Sequence, residues 1–164
     1  MSIRLFLLLL AMANTCCAGL RETRDELIAR YGPPRLTVSG KEAGEPLADE
    51  VLAFVILSVR GGGRHIAILA YLFDGTCVEI RYNPNDYPTF SEGQIALLKQ
   101  ENGGGFDWVK EKAPPGVDEL FVTTASAASK GSLLEILKGR EIAIFMTGSF
   151  AIKKMQATPS PNGP

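Results

Sequence analysis

The dipeptide Asp74-Gly75 constrains the fold more than any other short stretch of this chain, because it lies between two runs of β-forming residues. Asp-Gly flanked by apolar residues is the strongest short-range signal of a β-hairpin. A further β-rich run, residues 51–60, is followed by the glycines of 61–63 and the run 65–73, which predicts a second hairpin. Strands joined by tight turns are antiparallel, so the sequence predicts a three-stranded antiparallel meander.

The Asp74-Gly75 turn also predicts which residues face each other. A two-residue turn pairs Phe73 with Thr76 and Leu72 with Cys77. Continued without interruption, this register gives one nearly apolar face and one mixed face. The predicted apolar face holds Ala67, Leu69, Tyr71, Phe73, Thr76, Val78, Ile80 and Tyr82.

Three capping boxes predict where helices begin. A Ser or Thr stands three residues ahead of a Glu or Gln at Thr23, Ser91 and Ser132, each time before an apolar run. A glycine follows each run at the point where the helix would end. The predicted helices cover residues 24–31, 91–102 and 132–138.

Later β-rich runs complete the predicted fold. Residues 119–124 and 141–147 predict further strands, and 150–155 predict another strand or a continuation. Together these elements predict an α+β fold: an antiparallel sheet of about five or six strands, with two to three helices packed on one face. We expect a single domain over residues 19–155 and a disordered, Pro-rich tail at 156–164.

The start of the chain has the pattern of a secretory signal peptide over residues 1–18. A basic residue, Arg4, precedes an unbroken apolar run at 5–13, and small residues lead up to Ala18. The run is too short to span a bilayer, which takes about 20 apolar residues. We therefore expect an exported protein that begins at Gly19 and works in the periplasm or outside the cell.

Lipid anchoring is the alternative to soluble release. A bacterial lipoprotein would carry its acyl chains on Cys16 or Cys17, and only in that case do we expect an association with the membrane. Asn14 is a poor match to the aliphatic and small residues of such a lipobox.

Charge and cysteine content narrow the possible partners and sites. Removing residues 1–18 takes away one basic residue and no acidic one, which leaves 16 basic and 18 acidic residues. There is no basic run, so we expect no nucleic-acid partner. Cys77 is then the only thiol and forms no internal disulfide. His65 is the only histidine and has no other ligating residues at metal-site spacing, so we expect no metal and no cofactor.

A partial family resemblance emerges from two motifs. The first predicted helix ends in Tyr31-Gly32-Pro33-Pro34, and the meander contains Tyr71-Leu72-Phe73-Asp74-Gly75. Over about residues 21–82 the chain resembles the SmpA/OmlA-like domain of small outer-membrane assembly lipoproteins. The resemblance implies a helix packed on a short meander and a module that binds other proteins without catalysis; it implies no site residues. The chain departs from that family in its poor lipobox and in everything after Tyr82.

Two turn-rich loops flank the predicted second helix and carry the candidate binding residues. Aromatic side chains in loops supply contact area at a low entropic cost. The predicted binding residues are Tyr82, Tyr87, Phe106 and Trp108. The alternative is that Phe106 and Trp108 fold back onto the core while the tyrosines brace the turn.

No catalytic residue is predicted, so the expected function is a non-enzymatic binding or assembly module of the cell envelope. Its partner would be an envelope protein or a wall component. The alternative is a small secreted hydrolase or transferase that uses loop tyrosines and carboxylates such as Asp86, Glu92 and Asp107. Convergence of these carboxylates and aromatics on one concave pocket would favour the enzyme, whereas aromatics on an open surface would favour the binding module.

Overall fold

The computed structural model describes residues 19–58, 64–86, 88–103, 106–123 and 131–157. The predicted signal peptide, the glycine loop 61–63 and residues 158–164 of the predicted tail lie outside the described residues. The helices in the described part are α1 (Arg24–Tyr31), α2 (Glu92–Asn102) and α3 (Gly148–Ala157). The strands are β1 (Leu36–Ser39), β2 (Glu50–Ser58), β3 (Arg64–Phe73), β4 (Thr76–Pro84), β5 (Trp108–Glu111), β6 (Glu119–Thr123), β7 (Ser132–Leu137) and β8 (Ile142–Thr147).

The strands form one antiparallel sheet in the order β1-β2-β3-β4-β8-β7-β6-β5. The α+β class and the antiparallel sheet are confirmed, but the sheet has eight strands rather than five or six. The two edge strands, β1 and β5, are each four residues long. A run this short shows too few alternations to be recognised as a strand from its sequence.

The β3–β4 hairpin starts in the predicted register and then leaves it. Leu72 pairs with Cys77 as predicted, but Tyr71 pairs with Glu79. Val78 is therefore the extra residue of a β-bulge. Beyond the bulge every partner is shifted by one residue, and a shift of one moves a strand's side chains to the opposite face.

The predicted apolar face is consequently wrong for β3. Ala70 and Ile68 are fully buried and pair with Ile80 and Tyr82 of β4. Residues 67, 69 and 71, which were predicted on that face, point to the other side of the sheet. The sequence pattern was ambiguous because β3 is apolar on both faces, so only the bulge decides which one meets the core.

Helices α1 and α2 begin where their capping boxes predict. The Thr23 amide donates to the Glu26 carboxylate at 2.8 Å, and the Ser91 amide donates to the Gln94 side-chain oxygen at 2.9 Å. Each reciprocal pair satisfies backbone donors that the first helical turn leaves without a partner. The predicted helices at 24–31 and 91–102 are thus confirmed to within one residue.

The helix predicted at 132–138 is wrong, because residues 132–137 form strand β7. Ser132, Leu134 and Ile136 are buried and the residues between them are half-buried, which is the two-residue period of a strand. The sequence of this segment is apolar at both helical and strand spacing. Pairing with β6 on one side and β8 on the other decides the outcome.

The strand predicted at 150–155 is also wrong, because these residues lie in α3. The Phe150 amide donates to the Thr147 hydroxyl at 3.3 Å, so Thr147 acts as the N-cap. A Thr directly before Gly148 was the available sequence signal for this helix. The β-rich composition of residues 141–155 outweighs this signal when the sequence alone is considered.

The helices divide between the two faces of the sheet. The inner face packs against α1 and α2, with Leu27 and Leu98 contributing to a core that includes Phe145. The outer face packs against α3, whose Phe150 and Ala151 contact Ile144 and Met146 of β8. The prediction that the helices pack on one face therefore holds for α1 and α2 and is wrong for α3.

Candidate functional site

Tyr82, one of the predicted binding residues, lies in the core. Its side chain is 2 % exposed, and its hydroxyl accepts a hydrogen bond from the Asn102 amide at 3.2 Å. The Tyr31 hydroxyl lies 3.4 Å away. Burial raises the pKa of the Tyr82 phenol. Tyr82 joins α1, β4 and the end of α2 and offers no surface to a partner.

Trp108 closes the end of α2 and packs onto the core. Its indole N–H donates to the carbonyl oxygen of Lys99 at 2.9 Å, which also accepts from the Gly103 amide at the end of the helix. Its ring meets the Phe145 ring edge-on, with centroids 5.8 Å apart. Phe106 is 44 % exposed, and Tyr87 lies outside the described residues. The binding role of Phe106 and Tyr87 stays a prediction.

The loop carboxylates proposed for an enzyme lie in different surroundings. Asp86 contacts Nδ1 of His65 at 2.6 Å beside the ends of β3 and β4. Glu92, at the start of α2, lies 3.4 Å from the guanidinium of Arg140 in the β7–β8 turn. Asp107 is exposed next to Trp108. Asp86 and Glu92 thus contact different side chains, His65 and Arg140, and neither contacts the other.

Cys77 is fully buried, and its Sγ donates to the Glu79 carbonyl at 3.3 Å. Burial raises the pKa of this thiol. The thiolate, which is the reactive form of cysteine, is therefore disfavoured at this position.

A cavity of about 230 Å³ lies between one face of α2, strand β6 and the β7–β8 turn. Residues 92, 95, 96 and 99 line it from α2, at the spacing that puts side chains on a single helical face. Phe121 and Glu119 line it from β6, and Arg140 from the turn. The backbone of Arg140 is left-handed, with φ 75°, which is uncommon for a residue other than glycine.

Lys99 is the central cation of this cavity. Its ammonium lies 3.0 Å from the centroid of the Phe121 ring and makes no hydrogen bond or ion pair with any residue that the structure describes. Burial lowers the pKa of Lys99; the nearby Glu119 carboxylate opposes this shift, whereas Lys110 and Arg140 act in the same direction as burial. The cavity therefore presents a partly desolvated positive charge beside an aromatic ring.

The outer face carries a buried cluster of charges at its centre. Glu79, which is fully buried, contacts Nε of Arg81 at 2.6 Å and the ammonium of Lys154 in α3 at 2.9 Å. Glu45, from the loop between β1 and β2, contacts the same ammonium at 2.6 Å. The Arg81 guanidinium lies 4.4 Å from the centroid of the Tyr71 ring. This cluster ties α3 and the 40–48 loop to the middle of the sheet.

Glu135 lies on β7 beside this cluster, and its burial is expected to make the stability of the protein depend on pH. Burial raises its pKa, with Glu79 acting in the same direction and Lys154 and Arg81 opposing. The folded state then holds the proton more tightly than the unfolded state, so this group's contribution to stability falls as pH rises above the ordinary glutamate value. We expect Glu135→Gln to stabilise the protein at pH 7 and to lose that advantage by pH 3.

The check on Glu135 is the free energy of unfolding of wild type and variant, measured by urea titration across pH 3–8. Glu111→Gln removes an exposed carboxylate of β5 and is the control for a loss of surface charge. A Glu135→Gln advantage that does not change with pH would contradict the assignment.

The part of the outer face formed by β1, β2 and β3 is not covered by α3. Leu36 is 57 % exposed, Val55 44 % and Leu57 55 %, and small or half-buried apolar side chains lie between them. Leu36 faces Ala53 and Ala53 faces Leu69, while Val55 faces Ala67. The set, which we call the open strip, is Leu36, Ala53, Val55, Leu57, Ala67 and Leu69.

Comparison with known proteins, by family models, by curated sequences and by solved structures, finds no match. Within the described ranges, no group of three or more His, Cys, Asp or Glu side chains could hold a metal ion. No helix in that part of the chain is long and apolar enough to cross a membrane.

Proposed function

We propose that the protein is a non-enzymatic binding module of the cell envelope and that it binds a protein partner through the open strip. The observation that carries the proposal is the exposure of Leu36, Val55 and Leu57 on one continuous sheet face. Contiguous exposed apolar surface on a soluble domain marks a site of protein interaction. The resemblance of residues 21–82 to a protein-binding domain supports the same class of function.

The margin of the strip has the composition of an interface rim. Beside Leu57 on the neighbouring strand lies His65, whose ring contacts Asp86, and both side chains are more than two-fifths exposed. Asn83 of β4, which pairs with Ala67 of β3, is also exposed. Interfaces typically combine an apolar centre with a polar, solvated rim.

The chemistry of the partner follows from what covers the rest of this face. An amphipathic helix, α3, packs Phe150 and Ala151 onto Ile144 and Met146 of the same outer face. A sheet face that is apolar must bury itself against a second layer. We therefore expect the partner to present an amphipathic helix whose apolar side continues the layer that α3 begins.

We propose the periplasm or the extracellular space as the place of action, because the apolar N-terminal run at 5–13 supports export. Lipid anchoring at Cys16 or Cys17 would place the same module at a membrane surface. The alternative of a hydrolase or transferase has less support, since Asp86 lies against His65 and Glu92 against Arg140 instead of the two carboxylates facing each other.

Lysine substitutions in the strip test the proposal. Val55→Lys/Leu57→Lys puts two charges on the strip, at positions exposed enough for the fold to tolerate them. Met155→Lys, at a 68 % exposed position on α3, is the matched control. With the full chain as bait in envelope extract, we expect the strip variant to retain a partner at least about tenfold less than wild type, and the control to retain it fully.

The same variants distinguish the proposal from two alternatives: that the strip has no role in partner binding, and that it mediates self-association. Equal retention by wild type and strip variant would contradict the proposal. Wild-type self-association that the strip variant abolishes, measured by light scattering, would show that a second copy of this chain covers the strip instead. Circular dichroism of all variants establishes that they are folded.

A further inference from the structure

The cavity beside α2 holds a cation that the fold positions but does not neutralise. The Lys99 ammonium rests on the Phe121 ring at 3.0 Å from its centroid and makes no ion pair with any described residue, although Glu119 lies near enough to act on its pKa. A cation–π contact fixes the ammonium in place without using up its three hydrogen-bond donors. Those donors remain available to a ligand.

The two carboxylates that line the cavity are held very differently. Glu119 is bound by Lys110 at 2.9 Å and by Arg140 at 3.1 Å, and these cations hold its pKa below the ordinary range. Glu92 makes one longer contact, 3.4 Å to Arg140, and its side chain is 86 % exposed. The Glu119 side chain is therefore fixed in the lining of the cavity, whereas Glu92 can be displaced from Arg140 at little cost.

We propose that this cavity receives the carboxylate group of a ligand, bound between the Lys99 ammonium and the Arg140 guanidinium in place of the Glu92 carboxylate. A carboxylate accepts hydrogen bonds from both cations at once, and such charge-assisted bonds are the strongest a ligand can make here. The positive φ of Arg140 belongs to the β7–β8 hairpin turn, in which Lys138 and Gly139 also have positive φ.

The volume and lining of the cavity limit the size and polarity of the part of the ligand that carries the carboxylate. Its volume of about 230 Å³ lies below the about 300–1,000 Å³ typical of pockets for drug-sized molecules. Ile95, Ala96 and Phe121 supply apolar contacts beside the two cations. The site therefore suits a carboxylate on a short aliphatic chain, which a free acid, an acidic side chain or a peptide C-terminus can each supply.

This inference does not rest on the proposed function. The cavity lies on the side of the sheet that α2 covers, whereas the open strip lies on the outer face of β1–β3. Either site can fail its own test without affecting the other.

The test is an NMR titration of the full chain with butyrate, and with butyramide as the neutral isostere. We expect butyrate to shift the Phe121 ring and Lys99 side-chain signals saturably, and butyramide to leave them unchanged. A peptide with a free C-terminus, and an amidated peptide with one glutamate, then distinguish the source of the carboxylate.

Three variants make the test specific. Lys99→Met is expected to weaken butyrate binding at least about fivefold, and Glu92→Gln to tighten it about twofold or more because the internal competitor is gone. The matched control is Lys153→Met on α3, away from the cavity. The ammonium of Lys153 lies 4.1 Å from the centroid of the Phe73 ring, so this variant also removes a lysine in a cation–π contact. The control is expected to bind like wild type.

Several results would overturn the proposal. Equal shifts with butyrate and butyramide would show that the carboxylate is not recognised. Weaker binding by Glu92→Gln would show that Glu92 supports the ligand instead of competing with it. The absence of a saturable shift in wild type, or unchanged binding by a folded Lys99→Met, would also refute it.

Discussion

Replacing Phe145 by alanine is expected to destabilise the protein by about 3–5 kcal/mol, because a large buried ring is lost and a cavity is left. Phe145 is fully buried on β8, next to the middle of the sheet. Its ring contacts Tyr82 and Trp108 edge-on, with centroids 5.8 Å away in each case. Edge-to-face pairs add to the free energy of burial. Urea unfolding followed by circular dichroism measures the loss.

The control is the same change at an exposed position. Phe106→Ala removes a side chain that is 44 % exposed and is expected to change stability by no more than about 0.5 kcal/mol. Trp108 is the only tryptophan, so its fluorescence reports on the ring that it contacts. Similar losses from both alanine variants, or an unchanged tryptophan spectrum in Phe145→Ala, would contradict the described core.

Replacing Arg81 by methionine is expected to cost about 3 kcal/mol, the low end of the range for breaking a buried ion pair. Glu79 is fully buried and contacts Arg81 at 2.6 Å and Lys154 at 2.9 Å. The variant leaves one cation beside two buried carboxylates, Glu79 and Glu45. The Tyr71 ring also loses its cation contact. Thermal and urea unfolding measure the effect.

Two comparisons separate charge from packing in this cluster. Arg24→Met breaks an exposed pair with Glu50 at 3.2 Å and is expected to cost less than about 1 kcal/mol. Adding Glu79→Leu to Arg81→Met removes the uncompensated carboxylate and is expected to recover part of the stability. A double variant that is less stable than Arg81→Met alone would mean that packing, not charge, dominates.

Local signals in the sequence predicted the elements that are stabilised locally. The capping boxes at Thr23 and Ser91 place both donors and acceptors within one helical turn, so α1 and α2 could be located to within one residue. The Asp74-Gly75 turn likewise specifies its own geometry, and both residues have the positive φ that such a turn requires. These elements need no knowledge of the rest of the chain.

The errors arose where distant partners decide the structure. Residues 132–137 are apolar at either period, and pairing with β6 and β8 makes them a strand. The bulge at Val78 exchanges the faces of β3, although nothing in the sequence of β3 itself signals a change. The N-cap at Thr147 is a local signal, but it lies within a β-rich stretch that concealed it.

Neither candidate site could be assembled from the sequence. The cavity combines Lys99 of α2, Phe121 of β6 and Arg140 of the β7–β8 turn, which are brought together only by the sheet order. The open strip depends on which face α3 leaves uncovered. Of the aromatic residues predicted to bind a partner, Tyr82 and Trp108 pack in the core instead. The sequence could not show this, because a buried aromatic residue and an exposed one look alike in a turn-rich segment.

The most direct test of the proposed function is photo-crosslinking from the open strip in the native host. Placing p-benzoylphenylalanine at Leu57 on the strip, or at Met155 on α3 as the control, reports which surface a partner touches. We predict an adduct with a different protein from position 57, mapped to an amphipathic helix of that partner, and none from position 155. No adduct from position 57, equal adducts from both positions, or a product with the mass of two copies of this chain would contradict the account.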